Sequence, residues 1–134
     1  MSAEQRVTYV DSSAIVKLVV AEPESNALRR QLARRQPLVS SALARTEVAR
    51  ALLPAGPAAV ARGHETLRRI HLLRINDRVL SEAGRMEPVE LRSLDAIHLA
   101  SVNQLGAAVK QIVTYDERMT EAARALGWSV VSPR

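Results

Sequence analysis

The stretch VTYVDSSAIVKL, residues 7–18, decides the fold class, because an apolar strand runs directly into an acidic residue and then into a helix. Residues 7–10 are β-branched and aromatic without polar alternation, which is typical of a strand covered on both faces. The same order recurs in IVTYDERM, residues 112–119, where Asp116 follows a second buried strand. Each of these two predicted strands is therefore followed at its carboxyl end by an aspartate, Asp11 or Asp116.

The composition limits the class of protein. The chain has 134 residues and neither a Pro/Gly/Ser linker nor a low-complexity tract, so we expect one domain covering residues 1–134. Without cysteine it has no disulfide and no thiolate nucleophile, and any metal must bind oxygen or imidazole. No apolar stretch is long enough to span a bilayer, which predicts a cytoplasmic protein without a membrane partner.

The net charge of +5 is carried almost entirely by arginine, since Lys17 and Lys110 are the only lysines. Guanidinium groups suit bidentate binding of phosphate or carboxylate, which favours a nucleic acid or an acidic partner. A coding bias toward Arg and Ala explains the composition equally well. The aromatic residues, Tyr9, Tyr115 and Trp128, are too few for a base-stacking platform, so any nucleic acid would be held mainly by its backbone.

The apolar pattern predicts alternating strands and helices along the chain. Strands are expected at residues 7–10, 38–41, 72–75, 112–114 and 129–131. Helices are expected at residues 13–20, 24–35, 42–53, 58–70, 77–87, 94–105 and 117–126. Such alternation predicts an α/β fold with parallel pairing and right-handed crossovers. Ligands bind outside the carboxyl ends of the strands in these sheets, so Asp11 and Asp116 are expected to share one site.

Two further acids lie on apolar helix stripes. Helical spacing puts Glu47 between Leu43 and Ala51, on the side that faces the core. Asp95 shares its stripe with Leu99, near the electropositive start of its helix. Because an unpaired buried carboxylate is costly, both acids need a partner.

Each acid also has a purely structural explanation. Asp11 and Asp116 are good N-caps, Asp95 suits the first turn of a helix, and Glu47 can pair with an arginine. Their convergence favours a shared site, because all the aspartates except Asp77 begin elements that a parallel sheet brings to one edge. Clustered carboxylates repel unless a divalent cation neutralises them, and oxygen ligands suit Mg²⁺ or Mn²⁺. Such an ion can activate water and stabilise the charge developing on a phosphodiester.

Four stretches of the chain, in this order, resemble the motifs of PIN-domain ribonucleases, most closely the VapC-type toxins of bacterial toxin–antitoxin pairs. They are residues 10–18, 46–51, 94–100 and 113–119. The resemblance implies a PIN-like three-layer α/β sandwich with a mainly parallel central sheet. It also implies Mg²⁺ or Mn²⁺ dependence, endonucleolytic cleavage of RNA, inhibition by a small cognate antitoxin and assembly as a homodimer.

The resemblance also assigns site residues. The catalytic acids, which are also the metal ligands, are Asp11, Glu47, Asp95 and Asp116. Asp11 and Asp95 are the most direct of these ligands. The residues expected to orient the carboxylates or bound water are Ser12, Ser13 and Thr114. Some family members carry a further aspartate near the fourth acid, whereas here Glu117 and Arg118 follow Asp116, so one metal ion and two remain alternatives.

Three arginines near the acidic edge are expected to contact phosphate: Arg85, Arg92 and Arg118. Phosphate contacts carry no base information, and few aromatic residues are available for stacking. Shape and a short sequence in a structured loop of transfer RNA or ribosomal RNA are therefore expected to define the target. His98 lies on the apolar stripe of its helix and is expected to be a packed, hydrogen-bonded histidine rather than a metal ligand.

Other classes of protein fit less well. A phosphoacceptor receiver domain needs paired acids at the first strand and a lysine after the last, but Lys110 precedes the strand here. A haloacid-dehalogenase-type phosphatase needs a second aspartate two residues after the first, where this chain has Ser13. The main alternative to a ribonuclease is a PIN-like module that binds RNA or a protein without cleaving.

Overall fold

The computed structural model describes residues 6–33 and 37–134. In these ranges the strands are β1 (Val7–Val10), β2 (Leu38–Ser41), β3 (His71–Leu73), β4 (Val109–Val113) and β5 (Val130–Val131). The helices are α1 (Ser12–Val19), α2 (Ser25–Leu32), α3 (Ala44–Leu52), α4 (Pro57–Leu67), α5 (Asp77–Gly84), α6 (Ser93–Leu105) and α7 (Glu117–Ala125). None of the described helices is long and apolar enough to cross a membrane.

All described strand pairings are parallel, and the sheet order is β3-β2-β1-β4-β5. Because side chains alternate along a strand, β1 sends Val10 into a core on one face and Tyr9 into a core on the other. Helices α1 to α4 supply buried apolar residues to the first core, and α6 and α7 to the second. The predicted α/β class, with a parallel sheet between two helical layers, is confirmed.

The sheet order places β1 at a topological switch point. From β1 the chain adds β2 and β3 on one side, whereas β4 and β5 lie on the other. The crevice at the carboxyl ends of two such strands is the usual ligand site of an open parallel sheet. Val10 pairs with Val113, so Asp11 and Thr114 leave the sheet side by side.

Several element boundaries differ from those predicted. Strand β4 already begins at Val109, because pairing with β1 extends across the polar residues Lys110 and Gln111, which interrupt the apolar run. Helix α4 ends at Leu67 instead of residue 70, and β3 ends at Leu73 instead of residue 75. Helix α5 ends at Gly84 instead of residue 87, consistent with the low helix propensity of glycine. The predicted end of α2 at residue 35 lies outside the described residues.

Candidate active site

A cleft of about 270 Å³ opens at the carboxyl ends of β1 and β4. The residues that line it are Asp11, Ser12, Ser13, Glu47, Arg92, Ser93, Leu94, Asp95, His98 and Asp116. The four acids identified from the sequence thus come together, although they belong to four separate segments of the chain. Two of them follow central strands, and the other two lie in the first turns of α3 and α6.

Asp11 is the most buried of the four acids, with 4% of its surface exposed. Its Oδ1 accepts hydrogen bonds from Ser13 Oγ at 2.6 Å and from the Ala14 amide at 3.1 Å, and its Oδ2 accepts one from Thr114 Oγ1 at 2.5 Å. Burial raises the pKa of Asp11, and the hydrogen bonds from Ser13 and Thr114 compensate only in part. A cation in the cleft would offset this penalty on the charged form.

Glu47 is held through one of its two carboxylate oxygens. Its Oε1 accepts from Ser12 Oγ at 2.5 Å and lies 2.7 Å from Nε2 of His98. Oε2 has no hydrogen bond or ion pair within residues 6–33 and 37–134. Burial alone would raise the pKa of Glu47, but His98, Ser12 and Arg92 outweigh it and bring the pKa below its ordinary value. Glu47 is therefore ionised near neutral pH.

Asp95 and Asp116 share one guanidinium group. Nε of Arg92 donates to Oδ2 of Asp95 at 3.1 Å, and Nη2 donates to Oδ2 of Asp116 at 2.9 Å. Oδ1 of Asp116 accepts from the Met119 amide at 3.0 Å, so this acid is also the N-cap of α7. Arg92 therefore supplies the positive charge between two acids that would otherwise repel.

The donor chemistry of the cleft fits a hard divalent cation, since carboxylates and hydroxyls supply oxygen ligands. No three Asp, Glu or His side chains in the described part of the chain already form a cluster that could hold a metal ion. Internal partners hold the carboxylates instead, above all Arg92 between Asp95 and Asp116. A cation bound to these two acids would have to displace that guanidinium, whereas Oε2 of Glu47 has no partner among the residues that the structure describes.

The polar residues expected to orient the acids all contact them. Thr114 links two acids, because its Oγ1 donates to Asp11 and accepts from the Asp116 amide at 3.1 Å. Ser13 contacts Asp11 and also accepts from the Tyr115 amide at 3.0 Å. These bonds tie the end of β1 to the segment after β4.

The three arginines expected to contact phosphate lie in different places. Arg92 lines the cleft. Arg118 lines a separate groove beside Pro88 and Leu91, between the loop before α6 and helix α7. Arg85 follows α5 and donates from Nη1 to the carbonyl of Ser81 at 3.1 Å. Contact of these arginines with phosphate remains a prediction.

His98 is packed and hydrogen-bonded, as its apolar stripe predicts, but its link to Glu47 was not predicted. It lies one helical turn after Asp95 on α6, and this spacing brings its ring to the cleft. That spacing was the one signal in the sequence that could have revealed it.

The chain resembles known proteins in both sequence and fold. A family model of the PIN domain matches residues 8–125. Ribonuclease VapC46 of Mycobacterium tuberculosis is 56% identical over 125 residues, covering 93% of this chain and 96% of that protein. Ribonuclease VapC35 of the same species is 40% identical over 129 residues, with the same coverage of 93% and 96%.

Two solved structures share the fold. The sarcin-ricin-loop-cleaving toxin VapC20 of Mycobacterium tuberculosis matches with a TM-score of 0.76 at 18% identity, covering 94% of this chain and 99% of that one. A toxin–antitoxin complex from Klebsiella pneumoniae matches with a TM-score of 0.69 at 15% identity, covering 95% and 98%. The chain therefore belongs to the PIN-domain family, and within that family it is a VapC-type ribonuclease. The resemblance noted from its motifs is confirmed, and the enzyme is a hydrolase that acts on RNA.

Proposed function

We propose that this ribonuclease is the toxin of a toxin–antitoxin pair and cuts RNA endonucleolytically with Mg²⁺ or Mn²⁺. The observation that carries the proposal is the convergence of Asp11, Glu47, Asp95 and Asp116 on one cleft at the switch point of the sheet. A divalent cation held by these acids would activate water and stabilise the charge developing on the phosphodiester. The whole chain acts as one PIN domain, in the cytoplasm.

The chain's own residues prepare the cleft for this chemistry. Ser13 and Thr114 hold both oxygens of Asp11, and Ser12 holds one oxygen of Glu47. Arg92 balances the charges of Asp95 and Asp116, and a cation held by these two acids would have to replace that guanidinium. The side chain of Arg92 lines the cleft, and its guanidinium would then be available to bind a phosphate next to the scissile bond.

The test compares two neighbouring acids, of which only one lines the cleft. Asp116→Asn removes a charge from the cleft but keeps the N-cap of α7, because asparagine caps helices as well as aspartate does. Glu117→Gln makes the matched change at an exposed position outside the cleft. With Mn²⁺, cleavage of total RNA should fall by at least about 100-fold in Asp116→Asn. The loss of an outer partner of a metal ligand costs up to about 100-fold, and the loss of a ligand itself should cost at least as much. Glu117→Gln should cleave normally.

Removal of the metal tests the same proposal independently. EDTA should abolish cleavage by the unaltered protein, and Mn²⁺ in excess over EDTA should restore it. Cleavage that persists undiminished in EDTA would contradict metal dependence. Stable RNA binding without cleavage in Mg²⁺ or Mn²⁺ would instead favour a non-cleaving PIN-like binding module.

The proposed target is a structured loop of transfer RNA or ribosomal RNA. Arginines that hold phosphate do not distinguish bases, and a chain with few aromatic residues has little to stack against single-stranded bases. New 5′ ends mapped across total RNA after brief induction should show one dominant cut in a stable RNA. Cuts spread over many messenger RNAs at a shared short motif would contradict this target.

The proposed partner is a small antitoxin that binds a homodimer of this chain. The cleft already accommodates one guanidinium group between Asp95 and Asp116, so a basic side chain from an antitoxin tail fits the same chemistry. Co-expression with an adjacent small gene should yield a single complex in size-exclusion chromatography. Separate elution of the two proteins would count against that partner.

A further inference from the structure

A chain of hydrogen bonds joins the interior of the sheet to the cleft through His98. The hydroxyl of Tyr9 lies 2.7 Å from Nδ1 of His98, and Nε2 of His98 lies 2.7 Å from Oε1 of Glu47. Tyr9 is 1% exposed and His98 is 2% exposed. The two rings meet edge to face, with 84° between their planes. Both nitrogens of the imidazole are thus engaged, and its orientation is fixed by strand β1.

The direction of each hydrogen bond follows from the chemistry of the partners. The ionised carboxylate of Glu47 can only accept, so Nε2 of His98 donates to it. In a neutral ring Nδ1 then has to accept, and the Tyr9 hydroxyl is its donor. Burial raises the pKa of Tyr9, and the nearby charges of Asp11 and Glu47 add to this effect, so the phenol keeps its proton. The contact with Tyr9 therefore fixes the ring of His98 so that Nε2 faces Glu47.

Two donors meet on the same oxygen of Glu47. Ser12 at the start of α1 and His98 on α6 both bind Oε1, from different sides of the sheet. A glutamate side chain has three rotatable bonds, and a single donor would leave the carboxylate free to swing about it. With two donors from separate elements, Oε2 becomes the oxygen that has no partner among the described residues.

We infer that Tyr9 and His98 are positioning residues, which hold Glu47 so that its Oε2 is presented to the bound cation. The inference rests on the proposed function, because it requires Glu47 to be a metal ligand. Tyr9 does not line the cleft, so it acts only through the histidine. Outer partners of this kind typically change metal affinity 10–100-fold when they are lost.

Two substitutions of His98 test the roles of its two ring nitrogens separately. His98→Gln places an amide N–H near the position of Nε2, whereas His98→Asn places its amide near Nδ1 and leaves Glu47 without that donor. Calorimetry should show Mn²⁺ binding weakened about 10–100-fold in His98→Asn and largely recovered in His98→Gln. Tyr9→Phe keeps the ring but removes the hydroxyl, and should weaken Mn²⁺ binding by an intermediate factor.

The same substitution of His98, made in a variant that lacks the Glu47 carboxylate, distinguishes positioning of Glu47 from a general structural role. In Glu47→Gln, the further change His98→Asn should alter Mn²⁺ affinity less than about twofold, because the histidine acts through Glu47. Equal losses with and without Glu47 would overturn the inference, as would equal Mn²⁺ affinities of His98→Gln and His98→Asn. Circular dichroism shows whether each variant folds. If His98→Asn does not fold, the test passes to Tyr9→Phe. A folded Tyr9→Phe with unaltered Mn²⁺ affinity would then overturn the inference.

The two levels of the proposal fail in different ways. If the unaltered protein does not bind Mn²⁺, the proposed function is overturned and the inference with it. If it binds Mn²⁺ and the variants at Tyr9 and His98 bind equally well, only the positioning of Glu47 is overturned.

Discussion

Asp11 is a buried acid whose charge opposes folding when no metal is bound. Desolvation raises its pKa, and the hydrogen bonds from Ser13 and Thr114 do not fully compensate. A folded pKa above the unfolded value means that the folded state holds the proton more tightly. The carboxyl therefore reduces the free energy of unfolding most at pH values above its folded pKa, and this loss shrinks as the pH falls from the folded pKa to the lower, unfolded pKa.

We expect Asp11→Asn to raise the Tm of the metal-free protein at neutral pH and to bind Mn²⁺ more weakly. Asparagine keeps an acceptor for Ser13, and the Thr114 hydroxyl can turn to accept from the new amide. Thermal unfolding in EDTA, followed across acidic and neutral pH, should show the gain in Tm shrinking as the pH falls. The control is Asp77→Asn, at an exposed aspartate outside the cleft. A lower Tm at neutral pH, with Mn²⁺ affinity unchanged, would mean that Asp11 is only a helix cap.

Arg92 occupies the position of a cation between two acids, so its removal should have opposite effects on metal and RNA. We expect Arg92→Gln to bind Mn²⁺ severalfold more tightly, because the metal no longer displaces a guanidinium from Asp95 and Asp116. RNA cleavage should nevertheless fall, since the phosphate contact proposed for Arg92 would be lost. Calorimetry measures the change in Mn²⁺ affinity. Arg118→Gln, outside the cleft, is the control for Mn²⁺ binding and should leave that affinity unchanged. Weaker Mn²⁺ binding would show that Arg92 orients the acids and does not compete for them.

At the scale of elements, the packing of α4 against α3 sets the position of the helix that carries Glu47. The backbone of α4 approaches α3 at Gly63, where an added Cβ would lie 2.5 Å from Cδ1 of Leu52. Leu52 is fully buried in the core, so its side chain has little room to move. Gly63 therefore allows the close approach of the two helices.

We expect Gly63→Ala to destabilise the protein by about 1 kcal/mol. Alanine favours a helix over glycine by roughly 1 kcal/mol, but overpacking of a filled core destabilises by about 1–3 kcal/mol. Gly84→Ala is the matched control, because a Cβ at the end of α5 would meet no atom of residues 6–33 or 37–134 within 4 Å. Urea unfolding should show the loss at Gly63 alone, and Leu52→Ala combined with Gly63→Ala should be less destabilised than the sum of both single variants. A more stable Gly63→Ala would mean that Leu52 moves aside freely.

At the scale of the whole molecule, the charge is divided between an acidic cleft and a basic remainder. The net charge of +5 includes the four carboxylates of the cleft, so the rest of the surface is strongly basic. The cleft alone would repel RNA, and the arginines outside it must supply the attraction. Binding and cleavage should therefore depend on different residues.

We expect Asp116→Asn in EDTA to bind RNA about as tightly as the unaltered protein, although it does not cleave. The affinity should fall steeply with salt, with a slope of about −0.7 for each phosphate neutralised on a single strand. Fluorescence anisotropy with a labelled RNA over a range of salt concentrations measures this slope. An affinity that does not change with salt would exclude arginine-to-phosphate contacts as the main source of binding.

Local patterns in the sequence determined the strands, most of each helix and the acids that follow or begin them. An apolar run followed by Asp11 or Asp116 encodes both a strand and a helix cap, because short-range hydrogen bonds and burial govern these features. The start of β4 could not be predicted, since pairing with β1 decides it and polar residues obscure the run. The resemblance to the family motifs then assigned the four acids as catalytic residues and metal ligands.

Only the tertiary structure decided which side chains meet. Arg92 lines the cleft, whereas Arg85 and Arg118 do not, although Arg118 lies in α7 only two residues after Asp116. His98 reaches Glu47 and Tyr9 because β1, α3 and α6 converge there, and no local pattern encodes contacts between residues so far apart in sequence. The physical reason is that periodicity specifies which face of an element is buried, while strand order and the crossovers specify what that face packs against.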